Sequence, residues 1–474
     1  MTHERRWPPG CHPERSEGSV PLITHHSLLA ISIRLSNHPT HLSSEAPCTP
    51  EPLREAPLSG IAIADEPGLT HNPTALRRAF AILESWIAAG IVPGVGALVL
   101  HHGDIIGEAY LGTMRRGTDQ PVTSDTTWAV ASVTKPFTAT AALLQVERGA
   151  FSLDEPLGTL IPEFLDTPEP DPRRRAVTLR HCLSHCSGLP GFPPDNFALR
   201  RAHRPLTDFV RSWAHHPLLF APGTHHYYSN PGILLAAESV GRAATATLGQ
   251  PLGTPAIDHY HDFVHNDILA PLGMVSSSLR PPAAWDDRIA WVSDTGQEGE
   301  PYEQANSRYY RELGIPWGGL FTTPRDLARF LDLFLPAANG RQRYGIVPWD
   351  RHAVAPLLSP ATVREMTTIQ FAPPDAPADL APDLRDGAPP EFPRPAVPWG
   401  LGWSVKGTKR GPEFPDLASP ATYSHGGATG TLVWADPDRD LACVILTNRA
   451  MRSNWHTTRH RFTHFSNAVL SAIS

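Results

Sequence analysis

The stretch WAVASVTKPFTATAALLQVERG, residues 128–149, contains one of only three lysines in the chain, placed three residues after a serine. The apolar run after Lys135 predicts a buried helix, and Gly149 is typical of its end. Residues three apart lie on one helix face, so the Ser132 hydroxyl and the Lys135 amine can meet. Burial lowers the pKa of an amine, and such a lysine can deprotonate a serine. The alternative is an exposed serine and lysine in a first helical turn.

Outward from this stretch, the sequence predicts strands towards both ends of the chain and helices between them. Residues 74–90 have helical spacing, and residues 95–112 alternate around His102-Gly103-Asp104, which indicates a hairpin. Residues 421–449 contain two apolar runs joined by an Asp-Pro-Asp turn, and residues 460–473 predict a last helix. This pattern predicts an α/β (α+β) fold, with an antiparallel sheet built from N- and C-terminal strands and flanked by helices.

Three segments define the predicted domain organisation. Residues 1–70 are rich in Pro, Ser, His and Glu without sustained periodicity, and we expect a disordered N-terminal extension. Residues 71–474 form the folded domain, with a mostly helical insert at about 150–335. Residues 371–398 are rich in proline and poor in apolar side chains, which favours a surface loop.

Charge, hydropathy and cysteine count argue against nucleic-acid binding, a transmembrane helix and a disulfide framework. The net charge of −7 over 474 residues gives no electrostatic basis for binding nucleic acid. No stretch reaches the length of a transmembrane helix, and the N-terminal region is a poor signal peptide, so a cytoplasmic location is slightly favoured over a periplasmic one. The five cysteines are scattered and odd in number, so no disulfide framework is predicted.

Two further motifs carry polar groups suited to acyl transfer. Tyr228-Ser229-Asn230 is a Y-x-N before a helix, where a phenol can relay a proton and an amide can hold the lysine and the substrate. The alternative is a turn tyrosine with Asn230 capping the helix. Further on, His425-Gly426-Gly427 lies on a predicted strand, where glycines let a substrate approach the strand edge. The alternative is a glycine-rich hairpin end.

The order and spacing of these motifs resemble the serine β-lactamase-like hydrolases, close to class C β-lactamases, penicillin-binding DD-peptidases and family VIII-type esterases. The resemblance covers about residues 75–474. It includes VTLRHCLSHCSGLPGF, WGGLFTTPRDLARFL, WGLGWSV and HGGATGTLVWADPDRDLACVILTNR. It implies the β-lactamase/transpeptidase-like fold and a two-step reaction through an acyl-enzyme.

The resemblance also assigns roles to individual residues. Ser132 is the expected nucleophile, Lys135 its partner base, and Tyr228 the group that moves protons to the leaving group. Asn230 is the expected polar clamp on the substrate. His425, Gly426 and Gly427 take the place of the family's K-T-G motif. The oxyanion hole is expected from the backbone N–H groups of Ser132 and Ala428.

One departure from the family pattern bears on the substrate. The K-T-G lysine supplies a permanent positive charge for a substrate carboxylate, whereas histidine is largely neutral at pH 7. His425 therefore favours an esterase, amidase or D-amino-acid peptidase acting on small substrates, with no metal or organic cofactor. A β-lactamase or DD-peptidase is the alternative within enzymes. A further alternative is a non-catalytic homologue that binds cell-wall peptides.

A second cluster has the spacing of metal ligands. His181, Cys182, His185 and Cys186 lie four residues apart in pairs, as in some zinc sites. The same stretch coincides with a segment of the family in which these positions pack or cap. We therefore expect no zinc there.

Overall fold

The computed structural model describes residues 59–65, 71–247, 256–336, 357–371, 398–408, 414–451 and 455–473, with only the backbone described for 455–459. Most of the predicted N-terminal extension and residues 372–397 of the predicted proline-rich loop lie outside the described residues. No helix of the described residues has both the length and the hydropathy needed to cross a bilayer.

The described strands form two sheets. The strands are β1 Gly60–Ile63, β2 Gly94–His101, β3 Asp104–Gly112, β4 Trp128–Ala129, β5 Phe321–Thr322, β6 Ser404–Val405, β7 Tyr423–Gly427, β8 Thr431–Asp436 and β9 Leu441–Thr447. Seven of them form an antiparallel sheet in the order β1-β3-β2-β9-β8-β7-β6, and β4 pairs with β5. The N-terminal strands meet the C-terminal ones where β2 pairs with β9, which confirms the predicted sheet.

Twelve α-helices are described, and ten of them lie between β3 and β7. They are α1 Pro73–Ala88, α2 Lys135–Glu147, α3 Leu157–Leu160, α4 Leu179–Leu183, α5 Asn196–Arg201, α6 Leu206–Ala214, α7 Asn230–Ala244, α8 Ala256–Val264, α9 Arg308–Leu313, α10 Pro324–Asp332, α11 Pro360–Thr367 and α12 Trp455–Leu470. The predicted α/β (α+β) fold class is confirmed.

The start of the fold needs a correction. Strand β1 lies inside residues 1–70, which the sequence predicted to be disordered, and it pairs with β3 from Gly60 opposite Tyr110 to Ile63 opposite Gly107. Its four residues are too few to show the alternation by which a strand is recognised. The strand is stabilised by addition to the edge of a sheet formed elsewhere, which local sequence does not reveal.

The hairpin between β2 and β3 is confirmed. Its two turn residues, His102 and Gly103, have φ angles of 52° and 79°. Positive φ at both central positions fits the right-handed twist of the flanking strands. Residues of β2 enter two different cores. Val95 and Val99 belong to the core with α1 and α12, whereas Leu98 and Leu100 belong to the core that contains α2 and α10.

Helix α2 is buried on all sides, as expected for an apolar helix without a polar face. Its residues from Lys135 to Gln145 are all buried. Phe137 stacks on Phe330 of α10 with ring centroids 3.7 Å apart. This packing fixes the start of the helix, where the serine–lysine motif lies.

Candidate active site

Ser132 and Lys135 meet as the sequence predicts. Ser132 lies on a 3-10 turn, Ala131–Thr134, that leads directly into α2. Lys135 Nζ donates a hydrogen bond of 3.0 Å to Ser132 Oγ. The lysine side chain is fully buried, whereas Ser132 is half-buried and open to an incoming molecule. Burial disfavours the charged form of an amine, so this environment suits a base.

Two further contacts aim the amine. Lys135 Nζ also donates to the backbone carbonyl of Trp317 at 2.8 Å, and it lies over the Tyr228 ring, 4.6 Å from the centroid. The 317–320 segment is held in turn by the Thr134 hydroxyl, which accepts from the N–H of Leu320 at 3.0 Å. The Lys135 amine is therefore held between a backbone carbonyl and an aromatic face.

The residue before Ser132 has an unusual backbone conformation. Ala131 has a φ of 46°, in the left-handed region that a residue with a Cβ rarely adopts. Such strain costs on the order of 1–3 kcal/mol and tends to occur at functional sites. Here it places Ser132 at the tip of a tight turn. The sequence did not reveal this turn, because a positive φ is usually marked by glycine and residue 131 is alanine.

Tyr228 is held on both sides by His185, a residue that sequence reasoning did not place in the site. The His185 carbonyl accepts the N–H of Tyr227 at 2.8 Å, and its ring Nδ1 accepts the N–H of Ser229 at 3.1 Å. The His185 ring also contacts the Tyr228 ring, with centroids 4.3 Å apart. His185 has a φ of 60°, which turns the backbone so that both groups reach the tyrosine segment. It is a positioning residue for Tyr228.

His185 must be neutral to make this contact, since a protonated Nδ1 cannot accept a hydrogen bond. Its side chain is fully buried. Burial first, and then the electrostatic influence of the neighbouring His226, holds the pKa of His185 well below its usual value. The ring therefore stays an acceptor at neutral pH.

Asn230 lies at the start of α7, as the Y-x-N interpretation required. Its amide Nδ2 donates to the carbonyl of Gly191 at 2.9 Å. The N-cap of α7 is Ser229, whose hydroxyl accepts the N–H of Gly232 at 3.1 Å. The alternative interpretation, in which Asn230 caps the helix, is therefore wrong by one residue. The role of Asn230 as a clamp on substrate stays a prediction.

Strand β7 brings His425, Gly426 and Gly427 to the same site. A Cβ on Gly427 would lie 2.1 Å from the carbonyl oxygen of Val130, so only glycine allows this approach to the Ser132 turn. Strand β6 pairs only with Tyr423 and Ser424, so among the described strands His425–Gly427 has a neighbour on one side alone. We expect a substrate to lie along this edge.

The two backbone N–H groups expected in the oxyanion hole lie next to this contact. Ala428 is exposed and follows directly after β7, and Ser132 lies in the first turn of its helix. No hydrogen bond among the described residues uses either N–H group. Donors left open in this way can stabilise an oxyanion.

The side chain of His425 is oriented by its own strand. Its Nδ1 lies 2.9 Å from the carbonyl oxygen of Gly426, which can only accept, so Nδ1 carries the proton. The His425 ring approaches those of Tyr228 and Trp399, with centroids 6.3 Å and 5.6 Å away. Trp399 also contacts His185 edge-on at 4.6 Å. The sequence analysis did not identify Trp399, which comes close only through the fold.

The four residues with metal-like spacing, His181, Cys182, His185 and Cys186, do not form a metal site in the described structure. His181 accepts the backbone N–H of Thr178 and so caps α4, whereas His185 contacts Tyr228 and Ser229. Cys182 and Cys186 are buried free thiols. No group of three or more His, Cys, Asp or Glu side chains is placed to hold a metal ion in the part of the chain that the structure describes.

Known proteins are similar to this chain over most of its length. A family model described as Beta-lactamase matches residues 82–461. The esterase EstB of Burkholderia gladioli is 28% identical over 382 residues, covering 75% of this chain and 86% of the esterase. A putative D-alanyl-D-alanine carboxypeptidase of Salmonella enteritidis PT4 is 24% identical over 435 residues, covering 83% of this chain and 87% of that protein.

The fold also has solved counterparts. The crystal structure of a penicillin-binding protein homologue from Caulobacter crescentus matches with a TM-score of 0.64 and 19% identity, covering 87% of this chain and all of the other. The family match spans well over half of the chain. The predicted relation to the β-lactamase-like serine hydrolases is confirmed, and this chain belongs to the Beta-lactamase family.

Proposed function

We propose that this protein is an esterase that hydrolyses small esters through an acyl-enzyme on Ser132. The observation that carries the proposal is the fully buried Lys135 amine, whose Nζ lies 3.0 Å from Ser132 Oγ. A base within hydrogen-bond distance of the hydroxyl is what a serine nucleophile requires. The free edge of β7 supplies the opposite side of the cleft.

In the acylation step, Ser132 Oγ forms a bond to the ester carbonyl carbon as its proton moves to the neutral Lys135 amine. The carbonyl electron pair moves onto oxygen, where the N–H groups of Ser132 and Ala428 donate to it. Cleavage of the carbon–oxygen bond then releases the alcohol, which takes its proton from Lys135 by way of Tyr228.

In the deacylation step, a water molecule takes the place of the alcohol. The Tyr228–Lys135 pair removes a proton from this water, and its oxygen attacks the acyl carbon. The bond to Ser132 Oγ breaks, the acid leaves, and the proton returns to the serine. Both half-reactions use the same groups, and none of these steps requires a metal or an organic cofactor.

Two features support an ester as substrate. His425 stands where the family's K-T-G motif has a lysine, so this strand carries no permanent positive charge for the carboxylate of a β-lactam. The similarity to an esterase over most of the chain points the same way.

A D-amino-acid peptidase is the second candidate. The free edge of β7 beside His425–Gly427 can pair with an extended peptide through main-chain hydrogen bonds. The similarity to a putative D-alanyl-D-alanine carboxypeptidase supports the same activity.

The first test compares substrates. We expect faster turnover of 4-nitrophenyl butyrate than of a chromogenic cephalosporin or a D-alanyl-D-alanine peptide. Faster turnover of the cephalosporin would overturn the esterase proposal in favour of a β-lactamase, and faster cleavage of the peptide would favour the peptidase.

The second test maps the nucleophile. A fluorophosphonate probe is expected to label Ser132, identified by mass spectrometry of the adduct. Ser132→Ala should abolish both labelling and turnover, whereas Ser471→Ala, at an exposed serine after α12, should change neither. Absence of labelling in the unmodified protein would favour a non-catalytic, peptide-binding homologue.

A further inference from the structure

Three successive carbonyls before Ser132, those of residues 129–131, each accept a hydrogen bond from a buried threonine hydroxyl. These bonds run from Thr429 to Ala129 at 2.6 Å, from Thr431 to Val130 at 3.0 Å and from Thr134 to Ala131 at 2.7 Å. Each of the three side chains is at most 3% exposed. A buried hydroxyl that is bonded in this way fixes the carbonyl that it contacts, because breaking the bond would leave polar groups unsatisfied away from water.

The bond to Ala131 fixes the direction of one expected oxyanion donor. A peptide unit is planar and trans, so the carbonyl of Ala131 and the N–H of Ser132 point in opposite directions. Thr134 therefore sets the direction of the Ser132 N–H by binding the carbonyl of the same peptide unit. A strained residue such as Ala131, with its φ of 46°, persists only where the surrounding structure holds it.

The direction of the second expected donor, the N–H of Ala428, is fixed by the same rule. The carbonyl of Gly427 shares its peptide unit and accepts the N–H of Gly430 at 3.0 Å. This bond lies within the β7–β8 turn, residues 428–430. The two donors thus belong to two separate pieces of main chain, the Ser132 turn and the β7–β8 turn.

Two threonine hydroxyls join these two pieces. Thr429 directly follows Ala428, and its hydroxyl reaches the carbonyl of Ala129, 300 residues away in the chain. Thr431 makes the second bond, to the carbonyl of Val130. An oxyanion is stabilised best when both donors reach it at once, so the separation of the two pieces matters as much as the direction of each N–H group.

We propose that Thr429, with Thr431, is a positioning residue for the oxyanion hole, because the two hydroxyls set the separation between the N–H groups of Ser132 and Ala428. The proposal rests on the acyl-enzyme function proposed above. The Thr429 side chain is 3% exposed and its hydroxyl donates to the main chain, so it acts on the hole through the backbone and not on the substrate.

The test removes the hydroxyl and keeps the shape of the side chain. Thr429→Val is expected to lower kcat for 4-nitrophenyl butyrate about tenfold or more and to change KM less than about threefold. The reason is that a displaced oxyanion donor weakens binding of the transition state more than binding of the substrate. Thr429→Ser keeps the hydroxyl and should retain kcat within about threefold.

A thionoester separates a displaced oxyanion donor from a general loss of activity. 4-Nitrophenyl thionobutyrate has sulfur in place of the carbonyl oxygen, and sulfur is a weaker hydrogen-bond acceptor. The oxyanion hole contributes less to its reaction, so Thr429→Val should lower the ratio of kcat/KM between ester and thionoester about threefold or more. A loss of folded protein alone would lower both rates equally.

The matched control is Thr447→Val. Thr447 is 2% exposed, and its hydroxyl donates to the carbonyl of Gly430 at 2.7 Å, so it binds the β7–β8 turn and not the Ser132 turn. This variant loses one buried hydrogen bond, as Thr429→Val does, and should keep kcat within about twofold. Equal losses of kcat in the two variants, or an unchanged ratio in Thr429→Val, would refute the proposal.

A second variant covers the case in which Thr429→Val does not fold. Thr431→Val removes the other bond between the two turns, whereas the Val130 carbonyl keeps the N–H of Val133 at 3.2 Å. We expect a smaller loss of kcat and a lowered ratio of ester to thionoester. An unchanged ratio in this variant would contradict the proposal on its own.

Labelling of Ser132 separates this proposal from the esterase function. A fluorophosphonate presents a P=O oxygen to the same two donors, so Thr429→Val should slow labelling about tenfold and Thr447→Val should not. If the unmodified protein is labelled but turns over no ester, the esterase proposal fails, and the two labelling rates still decide the role of Thr429. Equal labelling rates would refute that role, and absence of labelling in the unmodified protein would overturn both proposals.

Discussion

The two sides of the candidate active site, the helical side with Lys135 and Tyr228 and the β7 side with Gly427, are built in opposite ways. On the helical side, side chains are aimed by contacts to the main chain: Lys135 is held by the Trp317 carbonyl, and Tyr228 by His185. On the β7 side, the site depends on the absence of a side chain, because a Cβ on Gly427 would overlap Val130. Activity should therefore fall when a side chain on the helical side is shortened, and when a side chain is added at Gly427 on the β7 side.

The largest effect is expected on the β7 side. Gly427→Ala places a methyl group 2.1 Å from the Val130 carbonyl and must displace the strand, and with it the N–H of Ala428. We expect kcat for ester hydrolysis to fall about a hundredfold to a thousandfold, the usual cost of losing an oxyanion donor. Steady-state kinetics on 4-nitrophenyl butyrate measures it.

Gly426→Ala is the matched control for this variant. A Cβ there would come no closer than 3.7 Å to the Thr431 carbonyl oxygen, so the same methyl group fits. Its effect on kcat should be small. Equal losses in the two variants would contradict the view that the contact of Gly427 with the Ser132 turn is what matters.

A smaller effect is expected on the helical side from His185→Ala. The substitution removes the acceptor for the Ser229 N–H and the ring against Tyr228, so the phenol loses its fixed position. We expect kcat to fall about tenfold with KM changed less than about threefold, because substrate binding is largely kept.

Partial rescue distinguishes positioning from general destabilisation. Asparagine tolerates a positive φ and offers a side-chain oxygen as acceptor, so His185→Asn should recover part of the lost kcat. If the alanine and asparagine variants lose kcat and melting temperature in parallel, His185 acts on stability alone.

The smallest effect on kcat is expected at His261, which lies outside the candidate site and contacts the segment that leads to Trp317. Its Nε2 donates to the Gly314 carbonyl at 2.6 Å, at the start of the segment leading to Trp317. Burial, and then the charge of Arg280, lowers the pKa of His261 from 6.5 to about 4. The unfolded chain therefore takes up this proton first, and the free energy of unfolding falls as pH decreases from 6.5 to 4.

The pKa difference corresponds to about 3 kcal/mol lost across that pH window. His261→Gln keeps an N–H donor and does not titrate, so its free energy of unfolding should fall less on acidification than that of the unmodified protein. Urea unfolding at pH 7 and pH 4.5 measures the difference. Identical pH dependence in the two proteins would show that His261 does not titrate in this way.

The sequence predicted those parts of the site that depend on local spacing. Ser132 and Lys135 are three residues apart, so a helical turn alone brings them together. The turn at His102-Gly103 was predictable for the same reason, since its conformation depends on the residues of the turn itself. These predictions required no knowledge of distant contacts.

The rest of the site depends on contacts between distant parts of the chain. His185 reaches Ser229 across 44 residues. The stretch that contains His185 was expected only to pack or cap, so its contact with the tyrosine segment becomes visible only in the fold. The resemblance to a family supplied Ala428, which no local pattern distinguishes.

The second acceptor of the Lys135 amine is a main-chain carbonyl, and this affects how the site responds to mutation. Replacing the Trp317 side chain leaves its peptide oxygen in place, so a survey by single alanine substitutions would overlook this hydrogen bond to the Lys135 amine. Insertion or deletion of one residue between Gly314 and Leu320 would shift that oxygen. Variation in the length of this segment among homologues would therefore be more informative about the base than variation in its amino acids.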